Sequence, residues 1–337
     1  MNTQSNTIKN TNPASFGKWA LGVIKTRNAS LLLLVLVIST TLTILQPRFL
    51  SQGNLSSVLI GMAYTLPIAL GMTLVMILGG IDLSVGPVLA LTAITTTLLL
   101  SRNVGINLPI PLAILAGLSA AVFCGALNGL GVAWLKLAPF IVTLSMLTIV
   151  QGIVTVTTSG WFISGLPEAY TTIGQGFLFD ILPIPVFITF IIFVVFYFLL
   201  TRWKPLNQAY YVGNNPAAAA LSGQRVMLVT FFGYVISSLM AGVAAIFMTS
   251  RLAMGFFQFG QGAELNAIAS AVIGGASFAG GKGNLLGTFL GVLLLAIIQN
   301  GFSLLGGQPN WLQIVNGAIL FIAIAFDGYR RRKETRE

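Results

Sequence analysis

The sequence predicts an all-α polytopic membrane protein of about ten transmembrane helices. Three observations point there. Apolar runs near the length of a bilayer span recur from Ser30 to Phe326, and in lipid only helices or closed barrels satisfy the backbone. Only 7% of the 337 residues are charged and 56% are hydrophobic, whereas soluble domains carry about 25% charged residues. The basic residues stand beside the ends of the apolar runs, as in cytoplasmic loops. No segment is long and polar enough for a separate soluble domain. The chain therefore divides into a cytoplasmic N-terminal segment (1–27), a transmembrane domain (28–327) and a basic cytoplasmic tail (328–337).

Taken in order, the first 27 residues are polar, with Lys9, Lys18, Lys25 and Arg27 and no acid. The apolar run Ser30–Leu45 lacks an Ala-x-Ala-type cleavage site, which predicts a retained signal anchor. Hydropathy places spans at 28–46, 57–79, 84–101, 109–134, 138–158, 182–201, 226–249, 264–280, 284–305 and 311–327. Gly and Pro interrupt the second, third, eighth and ninth, and broken helices would give the same pattern. With the N-terminus in the cytoplasm, alternation sends all but three of the 17 basic residues inside, the exceptions being Arg48, Arg102 and Arg251. That bias supports an even number of spans and a C-terminus on the same side as the N-terminus.

The largest external loop, 159–181, carries Trp161, Glu168, Tyr170 and Asp180 and no basic residue. Its aromatics read as interfacial anchors, or the loop as a whole receives an extracytoplasmic partner. Small residues repeat every four positions at Gly117, Ala121, Gly125 and Gly129, at Ala267, Ala271 and Gly275, and at Gly283, Gly287 and Gly291. Such rows share a helix face and let backbones approach closely. Gly79-Gly80 and Gly274-Gly275 are each followed by a polar break. This is a faint sign of a five-plus-five repeat, which in a ten-span protein would be inverted.

Composition excludes several chemistries. With one cysteine, Cys124, and no histidine, an internal disulfide, a His/Cys metal site and Ser-His or Cys-His catalysis are all ruled out. The net charge of +10 lies at helix ends, which argues against nucleic-acid binding. The seven acids form no close pair with a nucleophile. Gly280-Gly281-Lys282-Gly283-Asn284 lacks the spacing and hydroxyl of a phosphate-binding loop, so any ATP must be hydrolysed by another chain.

The polar residues inside apolar tracts are the candidates for function. Asp82, followed by Ser84 and Gly86-Pro87, suits a cap on the third span, or lines a route at a break between spans. Glu264 suits the first turn of the eighth span, or the mouth of an outer vestibule. Asn128, Thr143, Ser145, Gln299, Asn300 and Asn316 lie within spans and face protein or a cavity. Neutral amides and hydroxyls fit an uncharged polyhydroxylated solute. Phe140, after Ala138-Pro139, is either packing or an apolar gate.

Between two apolar runs stands Gly213-Asn214-Asn215-Pro216-Ala217-Ala218-Ala219-Ala220-Leu221-Ser222-Gly223, flanked by Arg202, Lys204 and Arg225. A helix-prone alanine run bounded by glycines and cations suits a small docking helix on the cytoplasmic surface.

These motifs resemble a family. Gly80-Ile81-Asp82-Leu83-Ser84-Val85-Gly86 is similar to a signature of the ribose/galactoside-type ABC importer permeases, of the superfamily that includes branched-chain amino acid permeases. Pro139-Phe140-Ile141-Val142-Thr143-Leu144, the 213–223 stretch, Glu264-Leu265-Asn266-Ala267-Ile268-Ala269 and Gly274-Gly275-Ala276-Ser277 with Gly280-Gly281-Lys282-Gly283 resemble its later motifs in the right order. Asn266 stands where the family usually has Asp, so no acidic role is carried to it. The resemblance implies a permease for a monosaccharide, most of all a ribose-type sugar, in the bacterial inner membrane. It implies a second permease copy or a similar permease, a periplasmic sugar-binding protein outside, and a cytoplasmic ATPase that holds the ATP and magnesium and receives the Ala217–Gly223 helix. It assigns no catalytic residue, cofactor or metal to this chain. The competing readings are an ion-coupled secondary transporter of a small polar solute, for which Asp82 and Glu264 are the only plausible ion ligands, and an intramembrane enzyme or structural subunit.

Overall fold

In the computed structural model, residues 27–103 and 106–308 are described, and beyond them 311, 314–318, 320–322, 325 and 328. The predicted N-terminal segment up to residue 26 and the basic tail from 329 lie outside the described residues. So does part of the tenth predicted span, whose described residues are helical.

Seven of the described helices are long and apolar enough to cross a membrane: α1 (Arg27–Leu45), α2 (Gln52–Ile77), α4 (Ile110–Ala133), α5 (Pro139–Thr158), α7 (Ile184–Arg202), α10 (Val226–Leu252) and α12 (Leu285–Leu304). Two are shorter, α3 (Val85–Leu100) and α11 (Ala263–Gly274). Their 16 and 12 residues reach only about 24 and 18 Å, against about 30 Å of hydrocarbon. The predicted third span is thus a short helix, and the predicted eighth span stops at Gly274 instead of 280. There Gly275 takes φ +116° and caps the helix, a conformation that only glycine adopts at low cost.

α2 is the axis of the bundle: every residue from Leu66 to Ile77 is buried. Pro67 lies inside it and cannot donate to the carbonyl four residues back, that of Ala63. The Thr189 hydroxyl of α7 donates to that oxygen at 3.2 Å, so the defect is repaired by a neighbour.

The small-residue rows do what their spacing predicts. α4 and α10 cross at Gly125 and Gly129. A Cβ on Gly125 would stand 2.8 Å from backbone atoms of Tyr234 and Val235, and one on Gly129 2.9 Å from the Phe231 carbonyl oxygen. α11 and α12 cross at Gly274, Gly287 and Gly291 with backbone against backbone, beside the buried Ala267 and Ala271.

The loop 159–181, predicted as external, holds more structure than its sequence suggests. It contains α6 (Glu168–Gln175) and a hairpin of β1 (Phe177–Leu178) and β2 (Leu182–Pro183), paired Phe177 to Pro183 and Leu178 to Leu182. Tyr170 is not an interfacial anchor. It is fully buried, and its hydroxyl bonds that of Thr249 on α10.

The connection after α7 is also helical: α8 (Lys204–Asn214) and α9 (Pro216–Leu221). α8 was not expected, although Leu206, Ala209 and Val212, its buried residues, recur at helical spacing. The connections 134–138, 203–225 and 275–284 join the ends of helices that gather at one end of the bundle. Trp134 stacks edge-on with Phe231 at 5.3 Å, and Gly281 N–H donates to the Ile77 carbonyl at 2.8 Å. Arg27, Lys136, Arg202, Lys204, Arg225 and Lys282 therefore share that end, and Arg27 donates to the last carbonyls of α11, where a cation complements the helix dipole.

Candidate functional site

Three regions collect the sequence candidates. The first is the α8–α9 surface at the basic end. Asn215, extended at φ −155°, caps α9 by accepting from the Ala218 N–H at 3.0 Å, and Pro216 fills the first helical position. Both are favoured start signals. The Ser222 hydroxyl donates to the Ala218 carbonyl at 2.9 Å, and Gly223 at φ +78° closes the turn. Asn214, Ala217, Ala218 and Ala220 are exposed, and so is Leu221, at 91%. Ala219 alone of the alanines is buried, and it turns inward. Gly213 is not a loose hinge ahead of this helix. It ends α8, pressed against the carbonyl of Ile77.

The second region is a buried polar node at the start of α3. Asp82 Oδ1 accepts from the Ser84 N–H at 3.0 Å and from the Ser84 hydroxyl at 2.6 Å. The Asn128 amide of α4 donates to that hydroxyl at 2.8 Å, and the Thr143 hydroxyl of α5 reaches the Ile81 carbonyl at 3.3 Å. The side chain of Asp82 thus forms a turn with the residue two ahead, before the helix begins, instead of capping its first turn. Asp82, Ser84, Asn128 and Thr143 are all fully buried. Among the described residues, Asn128 Oδ1 and the Tyr234 hydroxyl have no hydrogen-bond partner. This node pins three helices together and is closed to solvent in this conformation.

Just beyond it, Gly86 meets Gly260. A Cβ on either would stand 2.5 Å from the other's carbonyl oxygen, and one on Gly86 would also strike the Glu264 carboxylate. The first turns of α3 and α11 therefore lie side by side inside the bundle. Each is reached by an irregular segment, 78–84 and 253–262, and the latter passes Thr97 at Gly255. Gln151 of α5 donates to the Phe257 carbonyl at 3.3 Å. Glu264 does stand in the first turn of its helix, but beside α3. Phe140 sits on α5 and is exposed.

The third region is a polar groove of about 300 Å³ between α2, α11 and α12, with Ser57, Thr65, Asn266, Gln299, Asn300 and Ser303 along it. Asn54 and Asn300 exchange reciprocal amide hydrogen bonds at 3.0 and 2.9 Å. Gln299 donates to Asn316 at 3.2 Å. Of the groove residues, the sequence reading singled out Asn300 for the path. Ser57, three residues from Asn54, and Ser303, three from Asn300, were the signal it passed over. A larger cavity of about 520 Å³, lined by Leu74, Trp203, Leu206, Ala209, Leu228 and Phe232 among others, is apolar and offers a hydrophilic solute little to bond.

Residues 54–324 match the family described as branched-chain amino acid transport system / permease component. The chain is 37% identical over 299 residues to a ribose import permease protein of Bacillus subtilis, covering 88% of this chain and 90% of that one. It is 34% identical to the ribose import permease protein of Escherichia coli strain K12, over 90% of this chain and 92% of that one. An L-arabinose ABC transporter permease protein of Azospirillum brasilense is 31% identical over 94% and 91% of the two chains. No solved structure matches. A bundle of apolar helices with two short ones back to back, matched from residue 54 to 324 by one family's pattern, leaves a single assignment: the chain belongs to the branched-chain amino acid transport system permease family.

Proposed function

We propose that the chain is the membrane permease subunit of an ATP-driven, binding-protein-dependent importer of a monosaccharide, with a ribose-type sugar as cargo. The observation that carries this reading is α9: a capped short helix whose small outer residues are exposed while Ala219 anchors it to the bundle. Such a knob fits a cleft in a soluble ATPase, which holds the ATP and magnesium. Relatives named for ribose, L-arabinose and D-allose support a sugar as cargo.

In this reading ten spans cross the bacterial inner membrane: the seven long helices, α3, α11 and the segment 311–327. Segment 1–27 and the tail 328–337 flank this permease domain, and both termini are cytoplasmic, as the basic end of the bundle supports. The halves are inverted repeats. α3 and α11 start together and run to opposite ends, each behind an irregular segment, in the manner of broken transporter helices. A periplasmic sugar-binding protein docks over the far end, where α6 and the hairpin lie. The groove at Asn300 becomes the sugar path when a second copy or similar permease closes it. Asp82, Ser84, Asn128 and Thr143 join that path as α3 shifts, with Phe140 and Glu264 at its flanks.

Reconstitution with candidate sugar-binding proteins and the ATPase tests this. One sugar should stimulate ATP hydrolysis and accumulate in the vesicles. Ala218→Glu, on the exposed face, should abolish uptake with membrane insertion intact. Ala219→Glu would bury a charge and destabilise α9 itself. Accumulation by the isolated chain, abolished by an ionophore and indifferent to ATP, would refute the reading.

A further inference from the structure

The backbone of α8 touches two connections at once, with no side chain between them. Gly213 lies so close to the end of α2 that a Cβ there would overlap the Ile77 carbonyl oxygen, and it would stand 2.8 Å from the Gly281 nitrogen. Gly280, at φ +81°, packs against the Gly213 carbonyl, where a Cβ would stand 2.5 Å away, and against Gly79 Cα at 3.1 Å. The Gly281 N–H donates to the Ile77 carbonyl at 2.8 Å. The Tyr210 hydroxyl, one helical turn before Gly213, donates to the Gly283 carbonyl at 3.1 Å. Four glycines, Gly79, Gly213, Gly280 and Gly281, the first of them from the Gly79-Gly80 break, thus form one joint of backbone on backbone.

What meets there is specific. Ile77 opens the segment 78–84 that leads into α3. Residues 275–284 follow α11 directly. The joint therefore ties α9's supporting helix to the connections of both short helices. Close-packed interiors transmit displacement instead of absorbing it, and here no flexible side chain is available to absorb it.

We infer that Gly213 is a positioning residue of transport, the point through which movement of the α8–α9 unit is delivered together to the 78–84 and 275–284 connections, and so to α3 and α11. This rests on the importer reading above.

The test uses the complete importer in proteoliposomes, scoring sugar moved per ATP hydrolysed. Gly213→Ala should lower that ratio at least tenfold. Tyr210→Phe, which keeps the ring and loses one bond, should lower it two- to fourfold. Gly53→Ala, where an added Cβ meets nothing within 4 Å, should leave it at the wild-type value. A wild-type ratio for Gly213→Ala overturns the inference. So does a fall in uptake and hydrolysis in equal proportion, which is what a merely structural glycine would give. Should Gly213→Ala fail to fold, an unchanged ratio for Tyr210→Phe overturns it alone. Wild-type complex without sugar-stimulated uptake would strike down the importer reading, and the joint with it.

Discussion

Ser84 is the hinge of the buried node, since its hydroxyl donates to Asp82 and accepts from Asn128. Removing one member of such a pair leaves the others desolvated and unbonded, at about 1–3 kcal/mol. Ser84→Ala and Asn128→Ala should each lower the thermal midpoint of the purified protein, and the double variant should cost less than their sum by about 0.5 kcal/mol or more. Strict additivity would mean that the node is no network. At Pro67, Thr189→Val should cost about 1–2 kcal/mol by leaving the Ala63 carbonyl bare in an apolar interior, while Thr189→Ser should cost less. Asp82, Ser84 and Asn128 were legible in the sequence as polar residues in apolar runs. Their mutual bonds were not, because Asn128 lies 44 positions from Ser84 and only the crossing of α3 and α4 brings them together.

At the scale of the element, α9 stands on its cap. Asn215→Ala removes the bond to the Ala218 N–H, worth about 1 kcal/mol at a helix start. That should weaken ATPase binding to the permease about fivefold, read by titrating one onto the other. Asn214→Ala should leave binding within twofold of wild type. The alanine run and its flanking glycines showed this helix in advance. α8 escaped notice because its buried stripe of Leu206, Ala209 and Val212 is broken by Asn207, Gln208 and two tyrosines, and lies between a basic start and a Gly-Asn-Asn end that read as loop. α11 was read too long for a different reason. Hydropathy carried the eighth span to residue 280 because it does not register the break at Gly275, which leaves the helix at φ +116°. The third span, by contrast, was read to within a residue of α3 at each end.

Across the whole molecule, helix association rests on close glycine contacts, readable from the four-residue period on α4. On α11 the contact falls at Gly274, one position off the predicted row, and Gly275 and Gly283 lie beyond the helix ends. Gly125→Leu should abolish stable folding, since its Cβ alone would meet backbone of α10 at 2.8 Å. Gly152→Ala, on α5 with open space around it, should be neutral or stabilise by up to about 1 kcal/mol through helix propensity. Both are read as yield and thermal midpoint after detergent extraction. The basic residues predict one shared side for their connections, and six of them do gather at one end of the bundle; that this end is cytoplasmic belongs to the proposed topology. The polar groove as a whole was not legible, because α2 joins α11 and α12 there from far away in the chain. That furrow has a consequence for the life of the protein in the cell. In the proposed importer, a copy without its companion would leave this polar furrow, its amides only partly satisfied by one another, turned toward hydrocarbon, where such groups are costly, and so would carry a mark of incompleteness on its flank. Newly made copies without a companion should therefore be short-lived, cleared by membrane proteolysis until pairing hides the furrow.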